Sequence, residues 1–196
     1  MRKWVWVLLD TIYPATEGEL ILRNLNPDND SLPYDPHLVG GVQALMHYQH
    51  PWVKACIKEA KFRHNEKALK MLAKMLRKHL DQTNFHNYVI VPIPLSAKRQ
   101  RERSYNQVEE VVKYAGFTST NLLARIKNTK PQTKLEKKAR LENIQGSFRY
   151  NKRKLPADTQ IILLDDVYTT GATMEEARAT LAPHSPLPII CIALAH

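Results

Sequence analysis

The sequence predicts an α/β fold: a mainly parallel sheet flanked by helices over residues 40–196, preceded by a small irregular segment over residues 1–39. Three observations carry that prediction. Two short apolar runs, Tyr88-Val89-Ile90-Val91 and Ile161-Ile162-Leu163-Leu164, suit strands buried on both faces, as in a parallel sheet covered by helices. Between and beside them lie stretches whose apolar residues recur at helical spacing. The chain of 196 residues is 43% hydrophobic, enough for one sizeable core.

The elements follow in order. Arg2-Lys3 and the apolar run Trp4 to Leu9 begin like a signal peptide, but Asp10 ends the run too early for one and far too early for a membrane span. A small amphipathic element in a cytoplasmic protein is expected instead. Pro14, Pro27, Pro33 and Pro36, with the Asn/Asp-rich stretch from Asn24 to Ser31, make the opening irregular. Val42, Ala44, Met46 and Tyr48 alternate as a strand would. Trp52 to Leu80 reads as one or two helices, with Val53, Cys56, Ile57 and Ala60 on one stripe and Leu69, Leu72, Leu76 and Leu80 on another. A break near Arg63-His64-Asn65 would separate them. His47 and His50 have HxxH spacing but flank the expected strand end, which suits turn histidines better than metal ligands. The strand at Tyr88 ends in Pro92-Ile93-Pro94-Leu95, whose alternate prolines force the chain out of the sheet. The basic run Lys98 to Arg103 follows, and then a helix from Asn106 to about Tyr114 packs through Val108, Val111 and Val112. Arg125 to Arg140 is too polar for a core; it is either a lid that excludes water or a plain surface linker. The chain returns to the core through Ile144 and Phe148, with Gly146 at a turn, and ends on an apolar strand from Pro188 to Leu194. Cys56 and Cys191 form neither a CxxC pair nor a Cys/His cluster, which suits a reducing compartment.

Charge is concentrated. Residues 98–154 carry 16 of the 29 Lys and Arg but five of the 19 Asp and Glu, a net of +11 that leaves −1 for the rest. Such a block fits a polyanion: a diphosphate, a nucleotide or a nucleic acid. A solvated basic surface is the plainer alternative.

The stretch from Ile161 to Thr173 carries the chemistry. Asp165 and Asp166 follow the aliphatic run, and Tyr168-Thr169-Thr170-Gly171-Ala172-Thr173 opens a helix from Met174 to Leu181. Ligands of open α/β sheets bind outside the carboxyl ends of the strands. A tight turn at Gly171, loop N–H groups and a helix N-terminus can hold a phosphate. Carboxylates cannot favour a phosphate, so the acids suit sugar hydroxyls, with or without a metal ion. Cations of the 98–103 run, on the same strand-end face, would suit a pyrophosphate leaving group.

This order of strand, two acids and Thr/Gly loop resembles the phosphoribosyl-diphosphate (PRPP) motif of type I phosphoribosyltransferases. The resemblance implies that Asp165 and Asp166, the catalytic acids, face the ribose hydroxyls and that Thr169, Thr170, Gly171, Ala172 and Thr173 wrap the 5′-phosphate. Val91-Pro92-Ile93-Pro94-Leu95, the run Lys98 to Arg103, Tyr105-Asn106-Gln107, and Arg125, Thr129, Gln132, Leu135, Arg140, Asn143, Gly146 and Phe148 complete a pattern similar to the ComF family of bacterial competence. That likeness implies a type I phosphoribosyltransferase-like fold, pyrophosphate binding by Pro94, Leu95, Lys98, Arg99 and Arg101, and a flexible loop carrying Lys127, Thr129, Gln132, Lys134 and Arg140. It implies Mg²⁺ together with PRPP, the ion met by Asp165 and Asp166 if by any protein group. Many family members carry paired CxxC motifs after the opening; here Ala15 to Leu38 has no cysteine, so no structural zinc is expected. Three functions are in play: phosphoribosyl transfer with pyrophosphate release in DNA uptake or nucleotide metabolism, single-stranded DNA handling in competence, and nucleotide sensing without turnover.

Overall fold

The computed structural model describes residues 15–127 and 144–196. Thr16 caps helix α1 (Glu17–Asn24) by accepting the Glu19 N–H at 3.2 Å, with acids in the first turn and Arg23 in the last. This helix lies inside the stretch expected to be irregular. Caps and charges specify it, since Leu22 is its one buried residue. Strands β1 (His37–Val39) and β2 (Val42–Ala44) form a hairpin whose turn glycines, Gly40 and Gly41, have φ of 54° and 75°. The strand expected to run on to Tyr48 stops at Ala44. Leu45 and Met46 stay buried beside the last strand instead, tied by the Leu45 N–H to Ala193 O and the His196 N–H to Met46 O.

Helix α2 (Pro51–Arg63) opens on His50, whose ring accepts the Trp52 N–H, and on Pro51 in the first turn. His47 bonds the Asp35 carboxylate at 2.9 Å. His64 turns left-handed at φ 50°, and Asn65 caps helix α3 (Glu66–Asp81), so the expected break falls at these residues. Strand β3 (Tyr88–Pro92) sits at the sheet edge, which tolerates Pro92; the Ile93 N–H still bonds Leu164 O before Pro94 ends the pairing. The basic run is a helix, α4 (Ala97–Arg103), rather than part of a turn: Ser96 caps it and left-handed Ser104 (φ 65°) stops it. Helix α5 (Gln107–Tyr114) starts at the cap Asn106. Strands β4 (Leu123–Arg125) and β5 (Phe148–Tyr150) make a separate antiparallel ribbon. Arg125 therefore ends a strand and is partly covered, although the sequence assigned it to the exposed loop. Lys127 bonds Gln145 O at 2.7 Å; Thr129, Gln132, Lys134 and Arg140 lie outside the described residues.

Strand β6 (Gln160–Val167), helix α6 (Ala172–Leu181), a 3₁₀ turn (Ala182–His184) and strand β7 (Ile190–Ala195) complete the described chain. The sheet order is β1-β2-β7-β6-β3, parallel at every pairing except β1–β2. Alternation along β6 divides the core. Ile162 and Leu164 pack with α2, α3 and α5, whereas Ile161 and Leu163 pack with α6 and the β4–β5 ribbon. No helix among the described residues is long and apolar enough to cross a membrane.

Asn106 joins this fold to its strand-end face. Its buried side chain caps α5 through the Val108 N–H at 3.0 Å and donates to Ile93 O at 3.1 Å. Asn106→Ala removes a cap and strands a buried carbonyl. It should destabilise the protein by about 2 kcal/mol in urea unfolding, and a loss below about 0.5 kcal/mol would contradict this joining role.

Candidate functional site

A cavity of about 200 Å³ opens where β3 and β6 end. Strand alternation sends the two acids at the end of β6 to different faces. Asp166 continues the face of Ile162 and Leu164, toward α2 and α5. Its Oδ2 accepts from Lys61 Nζ at 2.7 Å and from Gln107 Nε2 at 2.8 Å, and its Oδ1 accepts the Val167 N–H at 2.8 Å. Burial opposes its charge, but Lys61 and these hydrogen bonds outweigh that and hold the carboxyl below its usual range. Asp165 takes the opposite face and lines both the cavity and a small adjoining cleft under the Tyr168–Met174 loop. Burial first, and then the neighbouring Asp166 charge, push its carboxyl up to about 7. One acid is thus a fixed anion, and the other can hold a proton near neutrality.

The loop between β6 and α6 turns tightly around a small cleft. Gly171 has φ of 81° and precedes α6 with no side-chain cap, an arrangement in which the first N–H groups of a helix can hold an anion. A Cβ on Gly171 would lie 2.5 Å from the Tyr168 hydroxyl, so glycine is required for space as well as conformation. Thr169, Thr170, Gly171, Ala172 and Thr173 all line this cleft, and Thr169 and Thr173 also reach the larger cavity.

The opposite wall is cationic. Because residues 97–103 are helical, Arg99 and Arg103, four apart, share the face toward the cavity. Arg125 joins them from β4. Burial and the neighbouring Arg99 both disfavour the charges of Arg103 and Arg125, a crowding that a bound anion would relieve. Pro94 and Leu95 line the cavity as the sequence suggests, whereas Lys98 and Arg101 are exposed outside it, Lys98 lying 3.8 Å from Glu102. Lys61 carries no sequence signal of a site role; it reads as one polar position beside the apolar stripe of α2. Gln107 and Arg125 were visible only as part of a family pattern.

The two acids differ in what they offer a divalent ion: Asp166 is engaged by protein donors, whereas Asp165 faces the cavity. Lys61, Gln107 and the Val167 N–H all donate to Asp166, and among the described residues no three His, Cys, Asp or Glu side chains are grouped to hold a metal by protein ligands alone.

The raised Asp165 carboxyl has a measurable consequence. Between about pH 4 and about pH 7 the folded protein keeps a proton that the unfolded chain releases, so stability without ligand falls as pH rises through that window. Asp165→Asn has no such proton to lose. Its thermal stability relative to the native protein should therefore be higher at about pH 8 than at about pH 5, and an equal difference at both would assign Asp165 an ordinary environment.

Residues 60–196 match the family described as the phosphoribosyl transferase domain, a span that contains every residue lining the cavity. The chain is also similar to the competence protein ComFC of Bacillus subtilis, 38% identical over 96 residues, which cover 48% of this chain and 38% of that one. ComFC of Streptococcus pneumoniae is 34% identical over 112 residues, 57% of this chain and 49% of the relative. Competence protein F of Haemophilus influenzae is 33% identical over 94 residues, 44% and 41% respectively. The chain spans less than half the length of each of these relatives. It belongs to the phosphoribosyl transferase domain family, as a protein of the ComF type.

Proposed function

We propose that the cavity binds PRPP and that the protein transfers its phosphoribosyl group with release of pyrophosphate. The observation that carries this reading is the meeting of three partial sites around about 200 Å³: the acids of β6, the loop before α6, and the guanidinium groups of Arg99, Arg103 and Arg125. Each matches one part of the ligand. The N–H groups and hydroxyls from Thr169 to Thr173 take the 5′-phosphate. Asp165 exchanges hydrogen bonds with the ribose hydroxyls, and Asp166 sets the charge behind it. The arginines receive the diphosphate.

In the reaction the bond from the anomeric carbon to the diphosphate oxygen breaks, and its electron pair leaves with pyrophosphate. The three guanidinium groups stabilise the negative charge that gathers there. The acceptor supplies the electron pair for the new bond at the anomeric carbon and loses its proton to solvent. Mg²⁺, expected with such a diphosphate, belongs to the oxygens of the ligand on this reading.

Single-stranded DNA handling is the second reading. Exposed Lys98, Arg101, Arg149, Lys152, Arg153 and Lys154 favour it, since none of them lines the cavity. Tyr105 and Tyr150, two rings within the basic segment, do not. The Tyr105 hydroxyl is held by Ala60 O and the His64 N–H, and Tyr150 stacks on His184 at 4.1 Å.

Side-by-side titrations with PRPP and single-stranded DNA separate the two readings. Asp165→Asn/Asp166→Asn should weaken PRPP at least tenfold, about 1.4 kcal/mol, and leave DNA binding unchanged. Neutralising Arg149, Lys152, Arg153 and Lys154 should leave PRPP unchanged and, if DNA binds there, flatten a salt dependence of about −0.7 per phosphate contact. Unchanged PRPP affinity in the folded double variant would remove the first reading.

A further inference from the structure

The Lys61–Asp166 contact is not one that a phosphorylated ribose requires. The ammonium reaches Asp166 at 2.7 Å, and the two side chains are 25% and 8% exposed, so the pair is largely withdrawn from water. The turn that carries Lys61 is held in place. Tyr105 donates to Ala60 O and accepts the His64 N–H, both at 2.8 Å, which brackets Lys61 on either side. Gln107 adds its amide at 2.8 Å to the same carboxylate oxygen.

We propose that Lys61 is the resident counter-ion of the acidic pair, standing where a divalent cation would otherwise bind, so that the carboxylates receive a 5-phosphorylated ribose without recruiting a metal. The inference rests on the reading of the cavity as a phosphoribose site. Two adjacent carboxylates attract hard cations, and Mg²⁺ needs several oxygens in near-octahedral array at about 2.1 Å. Here the Asp166 oxygens already accept three hydrogen bonds. An incoming ion would have to displace the ammonium from a largely covered position and would meet Arg99, Arg103 and Arg125 around the same cavity. A lysine is suited to the task because it is a compact charge on a flexible stem. Lys61 is then a positioning residue: it fixes Asp166 as an anion and leaves Asp165 to the ligand.

Mn²⁺ alone serves as the probe, with bound and free ion measured by electron paramagnetic resonance for the native protein, Lys61→Met and Lys61→Arg. The native protein and Lys61→Arg should bind Mn²⁺ weakly and alike, and Lys61→Met at least tenfold more tightly, about 1.4 kcal/mol. Equal affinity in all three overturns the proposal. If Lys61→Met does not fold, Lys61→Gln, which keeps a donor without the charge, replaces it under the same criteria. In parallel, ribose 5-phosphate should bind the native protein within about threefold the same affinity in EDTA and in Mg²⁺, whereas a gain of about tenfold on adding Mg²⁺ also overturns the proposal. Failure of ribose 5-phosphate to bind in either condition would remove the reading of the cavity instead, and the Mn²⁺ comparison would still decide what Lys61 does.

Discussion

A carboxylate at the end of a central strand must be compensated where it is buried, and Asp166 finds its cation 105 residues away in the chain. That pairing ties the last turn of α2 to the end of β6, and Gln107 ties the start of α5 to the same oxygen. Two of the helices that pack Ile162 and Leu164 below, α2 and α5, therefore converge again on one polar atom above. Removing one partner of a buried ion pair costs about 3–5 kcal/mol, a large part of the net stability of most domains. The strand-end face cannot easily rearrange while that constraint holds. Asp165 is left facing the cavity, where burial first and then the fixed anion beside it raise its pKa.

Much of the architecture is written in local sequence. The aliphatic run of β6 is buried on both faces, and that of β3 is buried at Ile90 and Val91 but half-buried at Tyr88 and Val89. Parallel pairing follows from helices lying between the two strands. His64 and Asn65 mark the break between α2 and α3 because one suits a left-handed turn and the other a cap. Legibility fails where the apolar pattern is silent. Helix α1 buries one side chain and α4 buries none, so caps at Thr16 and Ser96, rather than periodicity, announce them. The hairpin at Gly40 and Gly41 is equally local, yet its second strand is shorter than the alternation through Tyr48 suggests. Beyond Ala44 the chain stays buried beside β7 without regular ladder pairing.

The candidate site was legible in the same uneven way. Asp165, Asp166 and the Thr169–Thr173 loop are contiguous, and a strand-to-helix turn places them together without tertiary information. The cationic wall is different. Which residues of the 98–103 run face inward depends on its being a helix, and that geometry selects Arg99 and Arg103 over Lys98 and Arg101. Lys61, Gln107 and Arg125 reach the cavity from three separate elements. Only the folded sheet brings them within range of β6, and no local spacing could reveal it.

The central claim is that one cavity holds a phosphorylated ribose between the loop and the arginines, over an acid pair whose cation is Lys61. A crystal structure with PRPP and Mg²⁺ tests it most directly. The account predicts the 5′-phosphate on the N–H groups of residues 169–173, ribose hydroxyls on Asp165, the diphosphate toward Arg99 and Arg103, and Lys61 still bonded to Asp166. A ligand bound elsewhere, or an ion seated on Asp166 with Lys61 displaced, would contradict it.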